Sequence, residues 1–218
     1  MPRLVDTTIR VLSQEPLAGL MPTADLLRLA ELLDGAGFAY LEVSGGGVFD
    51  SAVRRGVESP WERIRALKAR TTTPLALALR GRFLVGSRPV GGDFARRFVA
   101  SAAQSGIDVF RLHDPLNDVD NLREAAEAII EEGAEFEAGL LYGSGRHEAL
   151  VDAAKRLPEL GAARILLNDP GPSCSRTGPA SSSESCGTCR DYRSASTRRA
   201  RAGTRSPPRS RPRAQAPT

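Results

Sequence analysis

Between residues 4 and 169 the chain alternates short β-rich runs with amphipathic stretches of helical period, and after residue 170 the alternation stops. Strand-like runs fall at Leu4–Ile9, Ala39–Val43, Leu75–Leu79, Val109–Leu112, Phe136–Leu141 and Ala163–Leu167. Helical patterns lie between them at Thr23–Gly35, Trp61–Arg70, Asp93–Ser105, Val119–Glu132 and Arg146–Leu160. Strands separated by helices pair in parallel, each helix carrying the chain back across a face of the sheet. Local signals agree with the period. Ser59-Pro60-Trp61-Glu62 puts an N-cap residue before a proline at the first helical position, and Asp118 opens the fourth helix. Gly35-Ala36-Gly37, Gly106, Gly133 and Gly161 each follow a helix, where a left-handed residue is wanted. The expectation is an α/β fold of about six strands and five helices. The period alone leaves an open sheet and a barrel stopped at its sixth strand both standing, and the order of elements fits the barrel better. A full eight-unit barrel takes roughly 250 residues, more than the 218 present.

Residues 171–218 contain no Leu, Ile, Val, Phe, Met or Trp. Such a segment has too little apolar surface to offset its ordering entropy. The expected division is therefore a barrel portion over 1–170 and a disordered Arg/Ser/Pro-rich tail over 171–218. Charge divides in the same place. Ten of the 30 basic and two of the 26 acidic residues lie in 171–218, leaving 20 basic against 24 acidic before it. The folded part is acidic on balance, and no nucleic-acid partner is expected for it. Cys174, Cys186 and Cys189 all lie in the tail; Cys186-Gly187-Thr188-Cys189 has the spacing of half a metal or redox site, without a second ligand pair. Of the 30 basic residues only Lys68 and Lys155 are lysines, the mark of a GC-rich gene, and such DNA read out of frame yields Arg, Pro, Ala, Gly and Ser. Reading Ser173–Gly178 one base back permits Leu-Leu-Leu-Pro-Asp-Arg, so the tail is expected to be out of frame from near Gly171. No apolar run approaches the ~20 residues of a membrane span, and Met1–Asp6 offers no signal-peptide stretch. A cytoplasmic location without membrane contact is expected.

Asp6-Thr7-Thr8-Ile9-Arg10 ends the first expected strand, the end at which a parallel barrel places its active-site groups. Gln14, Leu17, Ala18, Met21, Thr23, Asp25 and Leu27 follow without a gap. Further on stand the runs Leu41-Glu42-Val43-Ser44-Gly45-Gly46-Gly47-Val48-Phe49-Asp50 and Ser59-Pro60-Trp61-Glu62-Arg63-Ile64-Arg65. Leu79-Arg80-Gly81 with Leu84-Val85-Gly86 comes next, then Gly106-Ile107-Asp108-Val109-Phe110-Arg111 with Asp114, Leu116, Asn117 and Asp118. In this order, over about Leu4 to Asp169, they resemble the carboxyltransferase domain of pyruvate carboxylase, the oxaloacetate decarboxylase α subunit and the transcarboxylase 5S subunit. The resemblance implies a TIM-type (β/α) barrel, here incomplete, acting on a keto acid such as pyruvate or oxaloacetate. It implies a divalent metal at the barrel mouth that polarises the keto acid for CO2 exchange with carboxybiotin. It also places Arg10, Gln14 and Arg80 as substrate-binding residues, the arginines because their planar fork fits a carboxylate. No biotinyl-lysine motif of the A-M-K-M kind occurs, so a carrier would be a separate biotin protein.

The chain departs from the family pattern where the metal is held. The positions of the ligating Asp and Lys are Val11 and Asn168, and the later His-x-His pair is absent. Ser44 and Ser87 replace a Trp and a Tyr near the biotin pocket. No metal or other cofactor is expected for this chain itself. For Arg10 and Arg80 the competing reading is a salt bridge to a mouth carboxylate such as Glu42 or Asp114. His113, beside Asp114, reads as a packed or solvated mouth residue rather than a base, and His147 as an exposed helix residue. The expected function is a biotin-dependent carboxyltransferase-like protein of the pyruvate/oxaloacetate class with an eroded metal site and weak or no activity. Two alternatives stand beside it: a metal-free paralogue binding a keto acid, acyl group or partner subunit, and a non-functional truncated product. Unpaired edge strands in such an open barrel are expected to make it poorly soluble.

Overall fold

The computed structural model of the protein describes residues 4–14, 21–55, 58–86, 88–142 and 147–168. The tail with its three cysteines, Leu17, Ala18 and Ser87 lie outside the described residues. Five strands form one parallel sheet in sequence order: β1 (Leu41–Gly45), β2 (Leu75–Arg80), β3 (Val109–His113), β4 (Glu135–Leu141) and β5 (Arg164–Asn168). The helices are α1 (Thr8–Gln14), α2 (Thr23–Asp34), α3 (Gly46–Arg55), α4 (Pro60–Arg70), α5 (Gly92–Ser105), α6 (Arg123–Glu131) and α7 (His147–Arg156).

The strand alternation explains the layering. In β2, Leu75, Leu77 and Leu79 join the main apolar core, which also takes Ile64 and Leu67 from α4 and Val99 and Ala102 from α5. The intervening Ala76 packs on the opposite face with Tyr40 and Val109. That opposite face is where the charged residues go: Glu42, Arg111 and Glu137 are close to one another across β1, β3 and β4. Tyr40 donates from its hydroxyl to Glu137 Oε1 (2.6 Å), and Arg164 donates to Glu137 Oε2 (3.0 Å), so the inner face is cross-linked by hydrogen bonds rather than filled by aliphatic side chains.

The first expected strand is corrected. Leu4–Ile9 does not form a strand; its pairing shrinks to one parallel bridge, Asp6 to Leu41, with Ala39 N–H donating to Leu4 O (2.7 Å) and Glu42 N–H to Asp6 O (2.8 Å). The Asp6 carboxylate accepts from both the Thr8 amide and the Thr8 hydroxyl at 2.9 Å, a local turn that starts α1 two residues on. Ile9 is thereby buried against the main core from a helix. The sheet thus has five strands instead of six, and α1 and α3 add to the five expected helices. The expected helix over Val119–Glu132 opens as a 3-10 turn over Val119–Leu122, with the Asp118 carboxylate accepting from Asp120 N–H, before α6 begins. The one ending at Leu160 closes in a 3-10 turn at Leu157–Leu160, since Pro158 cannot donate to the α-helical ladder. Ser59 caps α4 as anticipated, its hydroxyl accepting from Glu62 N–H, and Gly106 adopts φ +111 past α5 while its Cα lies against the Lys68 side chain. Among the described residues no helix is long and apolar enough to cross a membrane.

Asp34, the last residue of α2, ties that helix to the entrance of β2. Its carboxylate accepts from the Thr72 and Thr73 amides (2.9 and 2.6 Å) and from the Thr72 hydroxyl (2.9 Å). Hydrogen bonding to Thr73, above all its amide, holds the Asp34 carboxyl down at about 2. A folded-state value below the unfolded one adds stability above the ordinary carboxylate range and loses it as pH falls from 3.8 toward 2. Asp34→Ala should lower stability by roughly 1 kcal/mol at neutral pH, the exposed setting keeping the loss small, and should flatten the acid limb of a denaturation-versus-pH profile. An unchanged acid limb would remove Asp34 from this role.

Candidate functional site

The carboxyl ends of the strands surround a polar cavity of about 390 Å³. Arg10 and Gln14 reach it from α1, Arg80 from the end of β2, Arg111 and His113 from β3, and Asn168 from the end of β5. Ligand sites of parallel βα sheets occur at this end because the strand–helix loops converge there. All three residues expected to bind substrate, Arg10, Gln14 and Arg80, are therefore brought to one cavity. Val11 is on α1 and 42% exposed, and is not among the lining residues. His147 begins α7 and its side chain lies outside the described residues.

Two glycines let α1 approach, and a third admits the turn after β2. A Cβ on Gly45 would lie 3.2 Å from Arg10 Cδ, and one on Gly47 would lie 2.9 Å from Gln14 Cδ, so the two polar side chains of α1 lie directly on bare backbone. Gly46 is tighter: its Cβ would sit 2.1 Å from the Leu84 carbonyl oxygen. Leu84 itself has φ +37 and ψ −83, a strained positive-φ conformation outside the left-handed helical region, held because its amide donates to Arg80 O (2.7 Å) and its side chain is buried. The turn after Arg80 is thus locked against the start of α3.

The arginines are not equivalent. Glu42, 0% exposed on β1, forms ion pairs with Arg10 and with Arg111, the latter at 2.9 Å. Burial pushes the Glu42 carboxyl up from its usual range, while Arg111 and Arg10 pull it back. Arg10 also donates to Gln14 Oε1 (3.2 Å). Asp114, the other carboxylate considered as a partner, is spent on its own loop: it accepts from the Leu116 and Asp118 amides and from Asn121 Nδ2. Arg54 is paired to Asp50 one turn earlier on α3. Arg80 has no ion pair or side-chain hydrogen bond among the described residues. The salt-bridge reading therefore holds for Arg10, through Glu42, and finds no partner for Arg80.

His113 stands beside these cations without a side-chain hydrogen-bond partner among the described residues. Burial first, then Arg111, Arg80 and Arg10, depress its pKa, so the neutral imidazole is favoured. Arg111 and Arg54 were not singled out from the sequence. Strand register held the signal for Arg111: it pairs with Ala78, and His113 with Arg80, which places Arg111 on the Arg80 side of the sheet. Arg54 gave no such signal, since no element was read over Gly46–Arg55.

Among the described residues the donor set does not fit the metal that the resemblance implies. Val11 has no lone pair, Asn168 offers only an amide oxygen, and among the described residues no group of three or more His, Cys, Asp or Glu could hold a metal ion. What the cavity does present is cationic and hydrogen-bonding groups suited to an anionic oxygen ligand.

A parallel βα sheet in sequence order, with helices between its strands and a cationic cavity at the strand carboxyl ends, is an α/β architecture of the kind found in part of a (β/α) barrel. Over about three quarters of its length the chain is homologous to the carboxyltransferase domain of the pyruvate carboxylase family. It is 43% identical over 173 residues to a pyruvate carboxylase subunit of Methanocaldococcus jannaschii, covering 78% of this chain and 30% of that protein. It is 33% identical over 170 residues to the methylmalonyl-CoA carboxyltransferase 5S subunit of Propionibacterium freudenreichii subsp. shermanii, covering 76% and 34%. The fold matches the carboxyl transferase domain of Rhizobium etli pyruvate carboxylase, solved with pyruvate, at a TM-score of 0.71 and 33% identity, over 77% of this chain and 30% of that one. No family model matches the chain. The chain spans about 30% of the length of the first curated relatives it matches.

Proposed function

We propose that the barrel mouth binds the carboxylate of a small keto acid of the pyruvate/oxaloacetate class through Arg80 and Arg10, and that the chain turns this ligand over weakly or not at all. The observation that carries the reading is the inequality of the arginines. Arg10 and Arg111 share the single carboxylate of Glu42, whereas Arg80 enters the same cavity with no carboxylate partner among the described residues. An unpaired guanidinium at a cavity mouth is a ready bidentate carboxylate anchor. Gln14 and the neutral His113 supply hydrogen bonds for the keto oxygen. Weak turnover follows from the donor set, because Val11 and Asn168 give a divalent cation little to hold. In the relatives' reaction the carboxyl donor is carboxybiotin, and for this chain the carrier would be a separate protein.

Titration calorimetry with pyruvate and with oxaloacetate, run with chelator and again with Mn2+, tests the reading. Binding should be indifferent to chelation, and Arg80→Ala should weaken it by about 10- to 100-fold, the cost of one charge-assisted bidentate contact. Arg54→Ala, which removes a cation already paired to Asp50, should weaken it less. Near-stoichiometric metal in the purified protein together with oxaloacetate decarboxylation would overturn the metal-free part. Equal affinity for pyruvate with and without Arg80 would overturn the anchor.

A further inference from the structure

Beside the cationic mouth lies a second cavity of about 660 Å³ that the keto-acid reading does not use. Its floor is aromatic: Phe49 of α3 meets Trp61 of α4 edge-on at 4.6 Å between ring centroids and Phe98 of α5 at 4.9 Å, and Phe94 stacks on Phe98 at 6.2 Å. Val53, 78% exposed, and Phe94, 42% exposed, stand at its edge. The two cavities are contiguous. Asp50, Val85 and Gly86 line both, so one wall separates the arginine-lined mouth from the aromatic floor. Gly86 carries no side chain there, and Asp50 is drawn onto Arg54 by two hydrogen bonds of 3.0 and 2.9 Å.

We propose that these two cavities form one bipartite site for a 2-oxo acid bearing an aryl side chain, its carboxylate on Arg80 and its ring on the Phe49–Trp61–Phe98 floor. This rests on the keto-acid reading of the mouth and extends it to substrate size. Three features point to this class. The ligand needs a negative head, because the mouth is cationic, and an apolar tail, because rings make the floor of the second cavity, with Arg97, Ser101 and Asp50 completing its lining. A rigid ring suits walls that already pack edge-to-face, the geometry aromatic groups prefer. Because Asp50, Val85 and Gly86 line both cavities, the head and tail of one small molecule can occupy adjacent spaces. Pyruvate, whose side chain is a methyl group, would fill the mouth and leave the aromatic floor to solvent.

The full chain is titrated with pyruvate, phenylpyruvate and phenylacetone, the last having the ring and ketone without the carboxylate. Phenylpyruvate should bind at least about tenfold more tightly than pyruvate, as burial of a ring on apolar walls requires, and phenylacetone should bind more weakly than phenylpyruvate. Phe94→Asp should bring phenylpyruvate back to the affinity of pyruvate while leaving pyruvate unchanged. Val53→Glu, at a more exposed edge, gives the same comparison if the first variant folds poorly. Arg80→Ala should weaken both acids by a similar factor. Pyruvate binding that depends on Arg80, with phenylpyruvate no tighter, would overturn the bipartite site and leave the keto-acid reading intact. Tight phenylpyruvate binding indifferent to Arg80 would also overturn it. Failure of both acids to bind would overturn the keto-acid reading and this extension together.

Discussion

Gly46→Ala is expected to destabilise the protein by about 3 kcal/mol or more, the upper range for overpacking, because the added methyl meets backbone rather than a side chain that can swing away. The new Cβ would lie 2.1 Å from the Leu84 carbonyl oxygen and 3.1 Å from Val85 Cα. Leu84 has little freedom to retreat: its φ of +37 is already strained, its side chain is buried, and its amide is committed to Arg80 O. Relief would require moving the turn that carries Arg80. The same substitution should therefore weaken keto-acid binding even where the protein remains folded. Gly47→Ala is the internal control. Its Cβ would meet only the far end of Gln14, at 2.9 Å from Cδ, and the side chain can rotate. Chemical denaturation of both variants decides the matter; a Gly46→Ala midpoint indistinguishable from wild type would mean that the turn and α3 are not locked together as described.

Glu42→Ala carries the second large effect. The carboxylate is fully buried and holds Arg10 and Arg111, whose side chains are themselves mostly shielded, at 24% and 15% exposed. Removing it leaves Arg10 of α1 and Arg111 of β3 facing each other with only Glu137, already paired to Arg164, nearby. Loss of one partner from a buried ion pair typically costs about 3–5 kcal/mol, and here two cations share one acid. Glu42→Gln should cost less, since the amide oxygen can still accept from Arg111 while its size is kept. Because the arginines then need another anion, chloride or phosphate should restore stability to Glu42→Ala more than to wild type, which thermal melts at several anion concentrations can read. An Ala variant as stable as the wild type and insensitive to anions would show that Glu42 is not the hub of the mouth.

The two variants also separate the parts of the site. Gly46 governs where Arg80 is held; Glu42 governs which arginines remain available. A ligand carboxylate should rest on Arg80 and Arg10 in the wild type and gain Arg111 as well once Glu42 is gone.

Much of the fold was legible in residue order. The strands β2, β3 and β4 fall within a residue or two of the runs read from the sequence, because Leu75, Leu77 and Leu79 alternate with alanines and fit a strand buried on both faces. Ser59-Pro60 and Gly106 marked helix ends through chemistry that is local to a few residues. The motif order from Asp6 to Asp118 indicated the carboxyltransferase family. Elements were missed where local signals pointed the wrong way. Leu4–Ile9 has strand-like composition, yet the Asp6 turn starts a helix at Thr8 and the core takes Ile9 from that helix. No element was read over Gly46–Arg55, where α3 starts on a glycine whose missing Cβ makes room for the turn at Leu84.

By itself, the sequence determined the parallel βα order and the helix caps, since each depends on spacing within one element, while Arg10, Gln14 and Arg80 were marked only through the family resemblance. Which arginine remains free was decided only by the tertiary structure. Arg10 and Arg80 look alike in the chain, and their difference arises from Glu42, 32 residues after the one and 38 before the other. Register places Glu42 next to Ala76, and Ala78 next to Arg111, so a buried carboxylate on β1 meets Arg10 and Arg111 while Asp114 turns to its own loop. Charge neutralisation across strands is a property of packing, and no local pattern encodes it.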